Sequence, residues 1–119
     1  MAYASFEDLE VWKKSCRLTV EICSLVKDIR EYAFKDQMMR AALSIPSNIA
    51  EGAERNSIPD FIRFLHIAKG SAAELRTQLY IAGQAKIIDR SDGVRLIKEL
   101  KKISSQIHSL IKYQQGLIS

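Results

Sequence analysis

Apolar residues recur along this chain at intervals of three and four, the period of an amphipathic α-helix. They do so in four stretches, about residues 6–30, 34–54, 58–86 and 91–115, separated by short polar links. The first stretch opens at Ser5, with Asp8 placed to complete a capping box, after residues 1–4 that are expected to fray. It carries two stripes. Leu9, Trp12, Cys16, Val20, Cys23 and Val26 form one, read as the core face. Val11, Leu18, Ile22, Leu25 and Ile29 form a second, about 130° away at 100° per residue. A helix on the outside of a monomeric bundle needs one stripe. Two stripes put it either deep among its neighbours or against another subunit. No helix is central in a small bundle, which favours reading the second stripe as an oligomer interface.

The second stretch has an apolar arc of Met38, Ala41, Ala42, Ile45, Ile49 and Ala53. Pro46 lies inside it. A proline there removes one backbone hydrogen bond and clashes with the carbonyl of Ala42. The arc keeps its phase across Pro46, so a kink is expected rather than a stop, with two short helices as the alternative. Ser44 is a candidate partner for a freed backbone group. The third stretch starts at Ser57, a candidate N-cap, with Pro59 in the first turn and Asp60 completing the box. Its arc is Phe61, Phe64, Leu65, Ala68, Ala72, Leu75, Leu79 and Ala82. Gly70 sits in mid-helix, where close packing against the second helix would offset its cost of up to about 1 kcal/mol. The fourth has Val94, Ile97, Leu100, Ile103, Ile107, Leu110 and Ile111 on one side. Four amphipathic helices joined by short links predict an all-α fold, an antiparallel up-and-down four-helix bundle in a single domain over residues 1–119.

Polar positions supply the candidate chemistry. On the second helix Arg40, Ser44, Asn48, Glu51 and Arg55 line up opposite the apolar arc, and Ser71, Glu74 and Gln78 lie beside the arc of the third. They alternate in sign and hydrogen-bonding type, which predicts a buried structural network across the two helices. On the fourth helix Arg95, Lys98, Lys101, Lys102 and Lys112 form a patch of one sign, and Lys13, Lys14 and Arg17 form a smaller one on the first. Cations fixed on a rigid helix release counterions from phosphates, so these residues are candidate nucleic-acid contacts without base readout. The alternative is a charged face kept for solubility.

Composition narrows the function further. The chain has 119 residues, 47% hydrophobic and 27% charged, with a net charge of +4. That mild basicity is compatible with a polyanion partner. Five glycines and two prolines leave little room for turns. Cys16 and Cys23, seven residues apart on one helix, are too distant for a disulfide with each other. Both are read as buried core thiols in a reducing cytoplasm. No leader and no membrane-length apolar run stands out. No Glu-x-x-His precedes His66 or His108, and no HExxH, CxxC, phosphate loop or G-x-S-x-G occurs. Metal, cofactor, small-molecule substrate and catalysis are therefore not expected.

The segments FEDLEVWKKS, QMMRAALSIPSNIAEGAER and FIRFLHIAKGSAAELRTQL occur in that order. In this the chain resembles the four-helix bundle family encoded by intervening sequences in bacterial 23S rRNA genes. The resemblance covers nearly the whole chain and implies a homopentamer. It also implies kinship with the accessory variability protein of diversity-generating retroelements, a basic barrel-shaped pentamer that engages a reverse transcriptase and nucleic acid. Its signature positions fall on Arg40, Ser44, Asn48, Glu51, Gly52, Arg55, Gly70, Ser71, Glu74 and Gln78, with no catalytic role attached. Ala33-Phe34 and Ile87-Ile88 depart from the glycine-bearing links usual there. The expectation is an oligomeric scaffold that binds RNA or DNA, or a nucleic-acid enzyme, through its basic face. The alternative is a protein-interaction oligomer with no nucleic-acid role. A continuous basic belt would favour the first, and basic patches closed off by acids the second.

Overall fold

The computed structural model describes residues 5–118, so the expectation for residues 1–4 lies outside the described residues. A short 3-10 turn, Phe6–Asp8, precedes four helices: α1 (Glu10–Val26), α2 (Tyr32–Ala53), α3 (Ile58–Gln84) and α4 (Arg90–Gly116). They form a rod of 47 × 20 × 19 Å. Each helix packs on the next in the chain, and α4 closes the bundle against α1. The directions alternate. Ser44 meets Ser71 while Gly52 meets Phe64, Gly93 meets Leu79 while Lys69 meets His108, and Arg95 meets Glu21.

Local chemistry sets the ends. Ser5 caps the 3-10 turn by accepting from the Glu7 N–H, 3.2 Å, rather than completing a box with Asp8. Leu9 is extended, so α1 proper begins at Glu10. Ser57 caps α3 by accepting from the Asp60 N–H, and Asp89 caps α4 by accepting from the Ser91 N–H. Both bonds satisfy an orphan donor of the first turn. The α3 end is a Schellman motif: Ile87 N–H reaches the Ala82 carbonyl at 2.9 Å and Lys86 N–H that of Gly83 at 3.2 Å. Lys86 takes the left-handed conformation, φ 61°, in a position that usually belongs to glycine.

The core runs the length of the rod through Leu18, Ile22, Met38, Ile45, Ile49, Leu65, Leu75, Leu79, Leu96, Leu100 and Ile103. The arcs expected on α2 and α3 are buried throughout. On α4 Val94 is exposed, and Leu96 fills the core in its stead.

On α1 the two faces are the reverse of those expected. Val11, Leu18 and Ile22 are buried in the bundle core, and Leu25 and Ile29 pack against it half-buried. The stripe expected to meet another subunit is thus used inside this one. Of the stripe expected in the core, Val26 is buried, Leu9 and Trp12 pack at its edge, Cys16 is half-buried, and Val20 and Cys23 are exposed. The cysteines are therefore not core thiols; both are free, and partial burial raises the Cys16 pKa against the opposing pull of Arg17. The physical reason lies in Ser15 and Thr19, both buried between Val11 and Ile22. Their hydroxyls donate to the carbonyls of Trp12 (2.9 Å) and Ser15 (2.8 Å), so they bury like small apolar groups.

Thr19 also bears on Pro46, which lies within one unbroken helix. With no N–H at Pro46, the Ala42 carbonyl loses its intrahelical donor. Thr19 Oγ1 reaches that carbonyl from α1 at 3.1 Å, sharing its one hydrogen with the Ser15 carbonyl. Ser44 is instead turned towards α3. Thr19→Val, which keeps the shape and removes the donor, is expected to cost about 1–3 kcal/mol for a buried carbonyl left unsatisfied. In a Pro46→Ala background the restored N–H should reduce that cost by about 1 kcal/mol. Urea melts of the double-mutant cycle measure the coupling; strict additivity would detach Thr19 from Pro46.

Candidate nucleic-acid interface

The cations singled out on α1 and α4 separate into two groups. Arg95, Lys98 and Lys102 line an open groove beside the start of α4, together with Asp89, Arg90, Ser91, Val94 and Glu99. Lys14 and Arg17 line an adjoining groove between α1 and α4 with Leu18, Glu21, Arg95 and Glu99. The fold therefore brings five of the eight together. Lys13, Lys101 and Lys112 line neither groove; by helical position Lys101 lies on the α3 side of α4, and Lys112 lies further along towards its C-terminal end.

Acids enter this surface. Both oxygens of Glu21 lie 3.3 Å from Arg95 Nη1, and Asp92 lies 4.0 Å from Arg95 Nη2. These groups are about half exposed, and such pairs contribute only about 0–1 kcal/mol. A phosphate can compete for Arg95 at small cost. Lys98, Lys101, Lys102 and Lys112 are exposed, and none belongs to an ion pair among the described residues. Arg90, which lines the same groove and donates to Gln84 Oε1 at 2.7 Å, was missed by the sequence reading. Its place at the first turn of α4 hid it among cap residues. The Asp89 carboxyl is held below its ordinary pKa by the backbone and side-chain hydrogen bonds from Ser91, which belong to the cap.

The network expected between α2 and α3 contracts to three residues. Ser44 and Ser71 share a hydrogen bond of 2.7 Å, and Asn48 Nδ2 donates to the Ser44 carbonyl (2.7 Å) and to Ser44 Oγ (2.9 Å). Arg40 pairs within its own helix with Asp36, and Arg55 with Glu51, each at 3.1 Å on the solvent side. The i,i+4 spacing that drew the eye satisfies these arginines locally. Among the described residues Glu74, which is exposed, has no ion pair, and the Gln78 Oε1 is buried without a partner. Arg40 and Glu74 thus sit on a solvated face, where truncation typically costs a few tenths of a kcal/mol. Gly52, not Gly70, makes the close approach between α2 and α3.

Among the described residues no three His, Cys, Asp or Glu side chains gather as metal ligands, and no helix is long and apolar enough to cross a membrane.

Residues 7–109 match the family of 23S rRNA-intervening sequence proteins. A solved structure from Bacteroides thetaiotaomicron VPI-5482, described as a protein with unknown function from the S23 ribosomal protein family, is similar over 86% of this chain and 98% of its own. The two share 29% sequence identity and a TM-score of 0.81. No curated protein matches the chain.

Proposed function

Because this chain of four helices belongs to the 23S rRNA-intervening sequence protein family, we propose that it acts as a non-enzymatic scaffold. In this reading it binds RNA or DNA weakly, and without sequence preference, through the outer face of α4. The observation that carries the proposal is that, among the described residues, Lys98, Lys101, Lys102 and Lys112 on the exposed side of α4 are in no ion pair. Cations held on a rigid rod lose little entropy on meeting phosphates and gain from counterion release. Few aromatic side chains accompany them, so phosphate contacts dominate over base stacking.

The scaffold is proposed to be a homopentamer, the assembly implied by the family resemblance, in the cytoplasm. The face that supports self-association is now the outward stripe of α1, where Val20 is 69% exposed, with Leu43 of α2 at 50%. Assembly would repeat each basic face and multiply weak contacts by avidity. Glu21 and Glu99 in the α1–α4 groove favour the second reading, a protein-interaction oligomer with no nucleic-acid role.

The two readings separate in a titration of labelled RNA and DNA at low and moderate salt. Wild type is expected to bind at about 50 mM salt and to weaken steeply towards 200 mM. Lys98→Glu/Lys102→Glu is expected to bind at least about tenfold more weakly. A double variant that binds as well as wild type would remove this face from consideration.

A further inference from the structure

We propose that the main phosphate track runs along the outer seam between α3 and α4, with Lys69 and Arg76 of α3 acting beside Lys101 of α4. This rests on the reading that the protein binds nucleic acid, and adds to it a second helix with no cation in the patches first singled out.

The register of the seam follows from two contacts. A Cβ placed on Gly83 would lie 3.7 Å from Arg90 Cα, and Lys69 Nζ lies 3.1 Å from His108 Nδ1. Arg76 is seven residues from both Gly83 and Lys69, so it faces the turn of α4 between residues 97 and 101. Seven residues are two helical turns, about 10.5 Å. Lys69 and Arg76 therefore share one edge of α3, and Lys101 and His108 share the facing edge of α4.

Acids turn away from this seam. By helical position Glu74 lies on the side of α3 that carries Ser71, which meets Ser44 of α2. Glu99 lies on the side of α4 that meets α1, where it lines the groove with Glu21. Asp92 points the same way, towards Arg95. Among the described residues α1 makes no contact with α3, and α2 none with α4. Among the described residues none of Lys69, Arg76 and Lys101 is in an ion pair. The α1–α4 groove is the opposite case, with Arg95 held by Glu21.

Unused donors lie under the same seam. Among the described residues Arg76 Nε and Ser104 Oγ are buried with no hydrogen-bond partner. Ser104 stands between Lys101 and His108 on α4. Buried donors without acceptors are uncommon in a finished site, and here they lie beside the cations. A phosphate backbone supplies the negative charge that the cations of the seam lack among the described residues, while these two donors stay beneath the surface. Cations spaced by two turns on two facing helices suit a repeating polyanion better than a single small anion.

The test is fluorescence anisotropy with a labelled RNA duplex of about 20 base pairs, at about 50 and 200 mM salt. Lys69→Gln/Lys101→Gln removes two of the three cations of the seam and leaves Arg76, and Lys14→Gln/Arg17→Gln removes two of the three cations of the α1–α4 groove and leaves Arg95. Helical circular dichroism confirms that each variant is folded. The seam variant is expected to lose about tenfold or more in affinity at low salt and to flatten the salt slope by nearly two. The groove variant is expected to change less than about threefold. Equal losses, or a larger loss in the groove variant, would overturn the seam while leaving nucleic-acid binding intact. Displacement of the duplex by polyglutamate at equal charge would reassign the seam to an acidic protein and overturn the proposal. No binding by wild type at low salt would overturn both this and the reading beneath it.

Discussion

Replacing Gly52 with alanine should destabilise the subunit by about 1–3 kcal/mol, the usual range for an overpacked contact. The added Cβ would lie 2.6 Å from Phe64 Cβ, 3.1 Å from Phe61 Cδ1 and 3.3 Å from the Phe61 carbonyl oxygen. Phe64 Cβ and the Phe61 carbonyl are fixed by the backbone of α3, so no rotamer change relieves the clash. The helices must separate where Phe61 fills the core, and the gain in helix propensity, up to about 1 kcal/mol, acts the other way. Gly70→Ala is the control, because Gly70 is exposed and a Cβ there meets nothing within 4 Å. That variant should gain up to about 1 kcal/mol. Urea melts of the two proteins should move in opposite directions. A neutral Gly52→Ala would mean that α2 and α3 do not approach as closely as described.

The second large effect separates the two stripes of α1. Ile22 is fully buried among core residues. Ile22→Glu removes that packing, worth about 2–5 kcal/mol by analogy with Ile→Ala, and places a carboxyl where no cation waits. Against a total stability of about 5–15 kcal/mol the subunit should unfold or become marginal. Val20→Glu, on the exposed stripe, should leave helicity and the urea midpoint nearly unchanged. If that stripe joins subunits, the mass of Val20→Glu by light scattering should fall towards 13.5 kDa while the helices persist. A well-folded Ile22→Glu would contradict the core assignment. A Val20→Glu protein that keeps the mass of wild type would move the interface elsewhere.

The period of the apolar residues was enough to find four helices, their order and three of the four core faces. It failed on α1 because both stripes there are apolar, and because Ser15 and Thr19, polar by residue type, lie on the buried face. Their hydroxyls are satisfied by carbonyls within one turn, which a residue scale cannot register. The α2–α3 network failed for a related reason. Arg40 and Arg55 have acids four residues back, which pair with them locally; among the described residues Arg55 reaches α3 only through the ring of Phe64, 4.9 Å from its guanidinium carbon, and not through a polar partner. Ser44 and Ser71 did meet, since short side chains at a close helix crossing have few other options. Gly52 and Gly70 look alike in the sequence; only the approach of α3 distinguishes them. For the basic face, exposure could be read from the helical wheel. The acid that holds Arg95 could not, because Glu21 is 74 residues away in the chain.

The salt dependence of wild-type binding to RNA and DNA duplexes bears most directly on nucleic-acid recognition. Phosphate contacts by several lysines predict an affinity that falls linearly on a log–log plot, with a slope of about −2 or steeper, and little difference between sequences. Absence of binding at about 50 mM salt, or binding that salt leaves unchanged, would contradict it.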